Sequence, residues 1–230
     1  MISLKVTLIS TEQGNQIMKI ATIAAVVALF AAGTASASPV NLITNGNFET
    51  VATGYTLNSG FKVINSGSSA LTGWTVGASS VDLIRNAYNA IDGYSVDMLG
   101  TPGPGFLSQS FSVIAGQTYN LSFDMARNSG GPAGQGVAVS FGGAAGNFYS
   151  TAAASNTLYS NTLSFTAATT GLATLSFASA AKAGTPLDKF SGAVIDNVSV
   201  MTAVPEPETY AMLLAGLGLM GFLRRRKAAK

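Results

Sequence analysis

Acid–base and metal chemistry in this chain falls to its carboxylates. The 230-residue sequence contains no His and no Cys. The usual general base, the usual zinc ligand and the serine-protease triad are therefore absent. Between Ser38 and Val204 the acids are Glu49, Asp82, Asp92, Asp97, Asp124, Asp188 and Asp196. A glycosidase acid–base pair would be drawn from Asp82, Asp92, Asp97 and Asp124. That chemistry needs two carboxyls roughly 5 to 9.5 Å apart across a cleft, and nothing in the spacing picks out such a pair. Asp92 stands before Gly93 and reads as a turn residue, while Asp124 falls on the polar face of a strand pattern. Arg85 and Arg127 could clamp an anion, although isolated arginines more often serve local hydrogen bonds. The stretch Gly100 to Gly105 is broken by prolines and precedes neither a helix nor a Lys, so it is not a phosphate loop.

Aromatic rings are the other chemistry-bearing set. Trp74, the single tryptophan, could stack on a sugar. Set between turn-formers and Val76, it reads better as a core residue. Tyr88, Phe148, Tyr149 and Tyr159 sit in or near expected loops, where they would be a sugar platform or ordinary loop anchors.

The elements that must position these groups are strands. Thr118 to Met125 alternates strictly: Tyr119, Leu121, Phe123 and Met125 face one way, and Thr118, Asn120, Ser122 and Asp124 the other. Leu107, Phe111 and Val113 alternate just upstream. Ala115-Gly116-Gln117 between them predicts an antiparallel hairpin. Further strands are expected over residues 61–64, 73–76, 81–84, 94–99, 137–141, 157–165, 172–178 and 193–201, separated by Gly-, Asn- and Pro-containing turns. About ten short strands without a long helical pattern imply an all-β sandwich. Residues 38–204 carry seven acids against Lys62, Arg85, Arg127, Lys182 and Lys189, a net charge of −2, whereas the whole chain is +2. No clustered basic face is present, so no nucleic-acid partner is expected.

Both ends carry processing signals. Met18-Lys19, the apolar stretch Ile20 to Ala32 and Ala35-Ser36-Ala37 read as a signal peptide cut after Ala37. Residues 1–17 form a poor leader, and Met18 is an alternative start. An uncleaved N-terminal signal helix is the competing reading. At the other end, Pro205-Glu206-Pro207-Glu208 forms an extended spacer, with a linker over 202–208. An uncharged run of 14 residues follows, Tyr210 to Leu223, and then Arg224-Arg225-Arg226-Lys227. A helix of that length is about 21 Å long, short of a full bilayer core, yet able to seat at a membrane if the basic end snorkels. The cations should stay cytoplasmic, which gives a short C-terminal hydrophobic helix over 209–230 holding the chain at the inner membrane.

That tail resembles the PEP-CTERM sorting signal of Gram-negative bacteria. The carry-over falls on Pro205, Glu206 and Pro207 and on Arg224, Arg225 and Arg226. The resemblance implies recognition by an exosortase, with signal peptidase acting at the other end, and a surface or extracellular destination. A second resemblance rests on Asn41 to Glu49, Gly73-Trp74, Asp92 to Asp97, Gly116 to Asp124 and Val194 to Val200. In this order they are similar to the "choice-of-anchor C" group and to plant cell-wall proteins with galactose-binding-like domains. It implies a jelly-roll, galactose-binding-like sandwich over 38–201 and brings no enzymatic activity with it. A strand near the start is expected to end in Phe48-Glu49 and one near the end to carry Asp196-Asn197; first and last strands often adjoin in jelly rolls, and similar modules often carry a structural calcium there. Glu49 and Asp196, with backbone carbonyls near Asn45 or Asn47, are the expected Ca²⁺ ligands; the alternative is that both cap backbone N–H groups or face solvent. The expected function is a non-catalytic surface protein that binds exopolysaccharide or cell-wall glycan. A structural or adhesive matrix protein is the alternative, and a polysaccharide hydrolase a remote one.

Overall fold

A computed structural model describes residues 40–151, 156–203, 214–218 and 220. The chain divides into two units, residues 39–203 and the combined termini 1–38 and 204–230. The described residues of the second unit, 214–218 and 220, are helical. Among the described residues no helix is long and apolar enough to cross a membrane. The expected signal peptide, Pro205 to Pro207, most of the apolar run and Arg224 to Arg226 lie outside the described residues.

Residues 39–203 form an all-β sandwich. Its strands are β1 (Gly60–Asn65), β2 (Thr75–Ala78), β3 (Ser80–Arg85), β4 (Tyr94–Asp97), β5 (Gly105–Val113), β6 (Thr118–Arg127), β7 (Gln135–Phe141), β8 (Ala144–Tyr149), β9 (Tyr159–Thr166), β10 (Gly171–Ala181) and β11 (Ala193–Thr202). One sheet has the order β1-β3-β4-β11-β6-β9 and the other β2-β5-β10-β7-β8; neighbouring strands run antiparallel.

The period-two pattern decides which faces meet. On β6, Tyr119, Leu121, Phe123 and Met125 are buried, while Asn120 and Ser122 are exposed. Leu175 and Phe177 of β10 and Val137, Val139 and Phe141 of β7 face them from the second sheet. Rings interlock between the layers: Phe123 meets Phe177 edge-on at 5.1 Å, and Phe141 meets Phe165 edge-on at 4.6 Å. Trp74 belongs to this core, at 4% exposure, with its indole N–H donating to the Asn45 carbonyl at 2.9 Å.

Two expectations fail here. Residues 107–113 and 118–125 do not form a hairpin, because β5 pairs with β2 and β10 while β6 pairs with β9 and β11. The 115–117 turn carries the chain across the core instead. Both strands then turn apolar rows inward, and Phe111 packs on Tyr119 at 6.1 Å. The Tyr119 hydroxyl, accepting from Ile114 N–H at 2.8 Å, pins the crossing. Residues 41–49 form turns rather than a strand, with Asn45 and Phe48 at positive φ. They still run beside β11: Leu42 N–H donates to Val200 O at 2.9 Å, and Val198 N–H to Gly46 O at 2.9 Å. A Cβ at residue 46 would overlap the Val198 carbonyl, so the close approach requires Gly46.

A β-bulge interrupts the pairing of β11 with β6 between Asp196 and Ser199, and Asn197 there has φ 51°. The extra residue lets Asp196 stay on the outer face while Val198 and Val200 point into the core. At its end β11 leaves beside the start of β6, where Ala203 N–H donates to Thr118 O at 2.8 Å. Residues 41–42 lie against the same end of β11.

Candidate functional site

The outer face of the six-stranded sheet is apolar in one small patch. Ile84, Ala126 and Val194 are buried there beneath Ala90 and Ile91 of the loop joining β3 to β4. Beside this patch opens a cavity of about 300 Å³. Its floor is Ile84 together with Asp82 of β3 and Asp97 of β4, which are directly opposed in the strand register. Its rim carries three rings that solvent reaches: Phe61 of β1 (46% exposed), Tyr88 of the β3–β4 loop (38%) and Phe190 of the loop before β11 (55%). Phe61 and Tyr88 pack edge to face at 5.8 Å.

Each wall is held by its own polar contacts. Asp82 accepts the Thr101 N–H at 3.1 Å and the Thr101 hydroxyl at 2.8 Å, which draws the loop after β4 to the cavity. Asp97 accepts from Leu99 N–H (2.9 Å), Gly192 N–H (3.0 Å) and the Asn128 amide (2.6 Å). Three loops thus converge on one carboxylate. Asp188 accepts the N–H groups of Phe190 and Ser191, and Gln135 accepts the N–H of Asp188, so the turn presenting Phe190 is fixed. The β3–β4 loop holds Asn86, Tyr88 and Asn89 at positive φ. For a ring-bearing residue such as Tyr88 this is a strained conformation. It is kept by the Asn86 amide on Asn58 O (2.9 Å) and the Asn89 amide on Arg127 O (2.8 Å).

Burial pushes the Asp97 carboxyl up to about 7, against the pull of the Asn128, Leu99 and Gly192 donors, and the Asp82 charge adds to the rise. Burial also raises Asp82, opposed by the side chain and backbone of Thr101. Asp97 is 1% exposed and Asp82 4%.

The other expected site residues are placed as follows. Glu49 is exposed, and its carboxylate accepts the Tyr94 N–H at 2.5 Å. Asp196 is fully buried and accepts from Asn197 N–H (2.7 Å), the Ser95 hydroxyl (2.8 Å) and Asp92 N–H (3.3 Å). Burial raises its carboxyl to about 7 against those donors, and the Asp92 charge contributes. The two acids therefore grip the same 92–95 turn. Gly93 fits between because a Cβ there would overlap the Glu49 carboxylate. Glu49 Oε1 and both oxygens of Asp196 receive N–H or O–H donors, and among the described residues no group of three or more acids gathers. Asp124 accepts from Ser160 and Asn197 on the polar outer face. Arg85 stacks on Tyr94 at 4.6 Å, and Arg127 donates to Gly131 O at 2.9 Å.

Of the four expected sugar-platform rings, Tyr88 alone lines the cavity. Phe148 and Tyr149 lie in β8 and Tyr159 opens β9, so they are strand residues rather than loop residues. Phe148 packs edge-on against Phe123 at 5.2 Å. Phe61, Phe190, Thr101 and Asn128 were not singled out by the sequence. A solitary ring within a polar loop, as in Asp188-Lys189-Phe190-Ser191, is the signal that marks such a residue.

Residues 41–201 match the family described as "Protein of unknown function (DUF642)". The chain belongs to the DUF642 family. This DUF642 chain also matches the PEP-CTERM protein-sorting motif over residues 203–227, which marks it as an exported protein sorted to the cell surface. It is 30% identical over 183 residues to halomucin of Haloquadratum walsbyi; the match covers 78% of this chain and 2% of that protein. Among solved structures it is similar to a cyclase from Fischerella sp. TAU, with TM-score 0.48, 18% identity and coverage of 74% of this chain and 100% of that one. It is also similar to TmCBM61 in complex with beta-1,4-galactotriose, with TM-score 0.39, 14% identity and coverage of 70% and 97%.

Proposed function

We propose that this DUF642 chain is a non-catalytic surface protein that binds extracellular glycan in the cavity between Phe61, Tyr88 and Phe190. The observation that carries the reading is the pairing of solvent-reached rings with a polar floor. Ring faces accept the C–H faces of a sugar, and Asp82 and Thr101 offer acceptors to its hydroxyls. The same geometry weighs against hydrolysis, because Asp97, one of the two opposed carboxylates, already receives the Leu99, Gly192 and Asn128 donors.

The terminal signals complete the reading. Signal peptidase removes residues 1–37, and the apolar run and Arg224 to Arg226 hold the precursor at the inner membrane of a Gram-negative cell. An exosortase then recognises Pro205-Glu206-Pro207 and delivers residues 38–204 to the exterior.

Affinity electrophoresis of the full-length chain through gels containing soluble polysaccharides tests the binding step. At least one polymer should retard the chain, and Phe190→Ala should weaken that affinity about tenfold, the scale of one aromatic contact. Phe190 is more than half exposed, so its loss should leave the fold intact. Free migration in every polymer gel would defeat the reading.

A further inference from the structure

The charge on the cavity floor names the class of sugar, an inference that rests on the glycan-binding reading above. Asp82 and Asp97 oppose each other across β3 and β4, and both are almost fully buried. Among the described residues their partners are Thr101, Leu99, Gly192 and Asn128, none of which carries a charge. No Lys or Arg lines the cavity. Buried carboxylates that lack a cation are costly unless a ligand supplies one.

The two acids are not equally free to bind. A carboxylate offers about four acceptor positions. The oxygens of Asp97 already receive Leu99 N–H, Asn128 Nδ2 and a Gly192 N–H shared between them. Those of Asp82 receive only the two groups of Thr101. Unused acceptor capacity therefore lies on Asp82.

We propose that the cavity selects hexosamine residues bearing a free amine, with Asp82 receiving the ammonium group. An ammonium carries three donors and no acceptor, which complements a floor made of acceptors. The rings of Phe61, Tyr88 and Phe190 favour a cation as well as a sugar face. N-acetylation removes the positive charge. A uronate would bring a further negative charge where no cation lines the wall to meet it, so acidic sugars are rejected. A volume of about 300 Å³, small for a ligand pocket, suits a sugar unit rather than a length of chain.

Isothermal titration calorimetry of the full-length chain in near-neutral buffer separates the outcomes. The probes are tetraglucosamine, tetra-N-acetylglucosamine, a neutral galacto-oligosaccharide and tetragalacturonate. Tetraglucosamine should bind at least about tenfold more tightly than its acetylated twin, the scale of one charge-assisted hydrogen bond, and tetragalacturonate should not bind. Asp82→Asn should bring the free and acetylated forms level, whereas Phe190→Ala should weaken both alike. Equal binding of the free and acetylated tetramers by the unaltered chain, which needs no variant to fold, would overturn the amine preference and leave glycan binding standing. Failure of every sugar to bind would overturn both.

Discussion

Asp97 and Asp196 each hold a proton that the unfolded chain releases. Their carboxyls sit at about 7 in the folded protein, against 3.8 for an unperturbed Asp, mainly because burial disfavours the charge. Between those values the native state binds more protons than the unfolded state, so stability falls as pH rises. The contribution is complete below about pH 4 and lost as pH passes through about 7. Thermal melting across pH 5 to 8 should show a falling melting temperature. Asp97→Asn, which fixes an uncharged side chain, should remove part of that slope; an unchanged slope would show that Asp97 stays ionised. Individual acids could be read from the chain, Asp82 and Asp97 among four candidates with no pair picked out. Their opposition could not, because it depends on which strands become neighbours. Glu49 and Asp196 do converge on one turn, as the juxtaposed chain ends anticipated. What they hold there is backbone N–H and hydroxyl donors.

Among the elements, β6 was the plainest from its alternation, since an inward row of Tyr119, Leu121, Phe123 and Met125 leaves no doubt about its faces. Alternation reports a strand's faces and is silent about its partner, which is why the turn after β5 resembled a hairpin. The structure uses that turn to change sheets. Tyr119→Phe tests the device: it leaves the Ile114 N–H without its intramolecular acceptor and should cost about 1 kcal/mol in chemical denaturation. A loss close to zero would mean that apolar packing alone holds the crossing. β8 escaped notice because Ala144-Ala145-Gly146-Asn147 has almost no apolar period. It forms because β7 offers a free edge, with Gly136 to Phe141 pairing against Tyr149 to Ala144. The cavity was illegible for a related reason: its lining comes from four loops and three strands spread from Phe61 to Ser191, and no window of sequence contains them.

At the scale of the molecule, cohesion comes from one continuous apolar interior. The chain has no Cys, and among the described residues no acid cluster is suited to a metal. Unfolding should therefore be indifferent to reductant, and excess chelator tests whether Glu49 and Asp196 hold a calcium ion: an unmoved melting temperature counts against the site. A melting temperature lowered by several degrees in chelator would support a calcium ion at Glu49 and Asp196.

β11 begins at the cavity, where Val194 adjoins Asp97, and ends at Thr202 beside the point where residues 41–42 enter. A ten-residue strand spans about 33 Å. The binding mouth and the two chain connections thus occupy opposite poles of the sandwich. Anything spliced, cleaved or tethered at residue 203 acts at the pole opposite the cavity. A glycan bound as proposed could pass over the cavity without meeting the pole at residue 203.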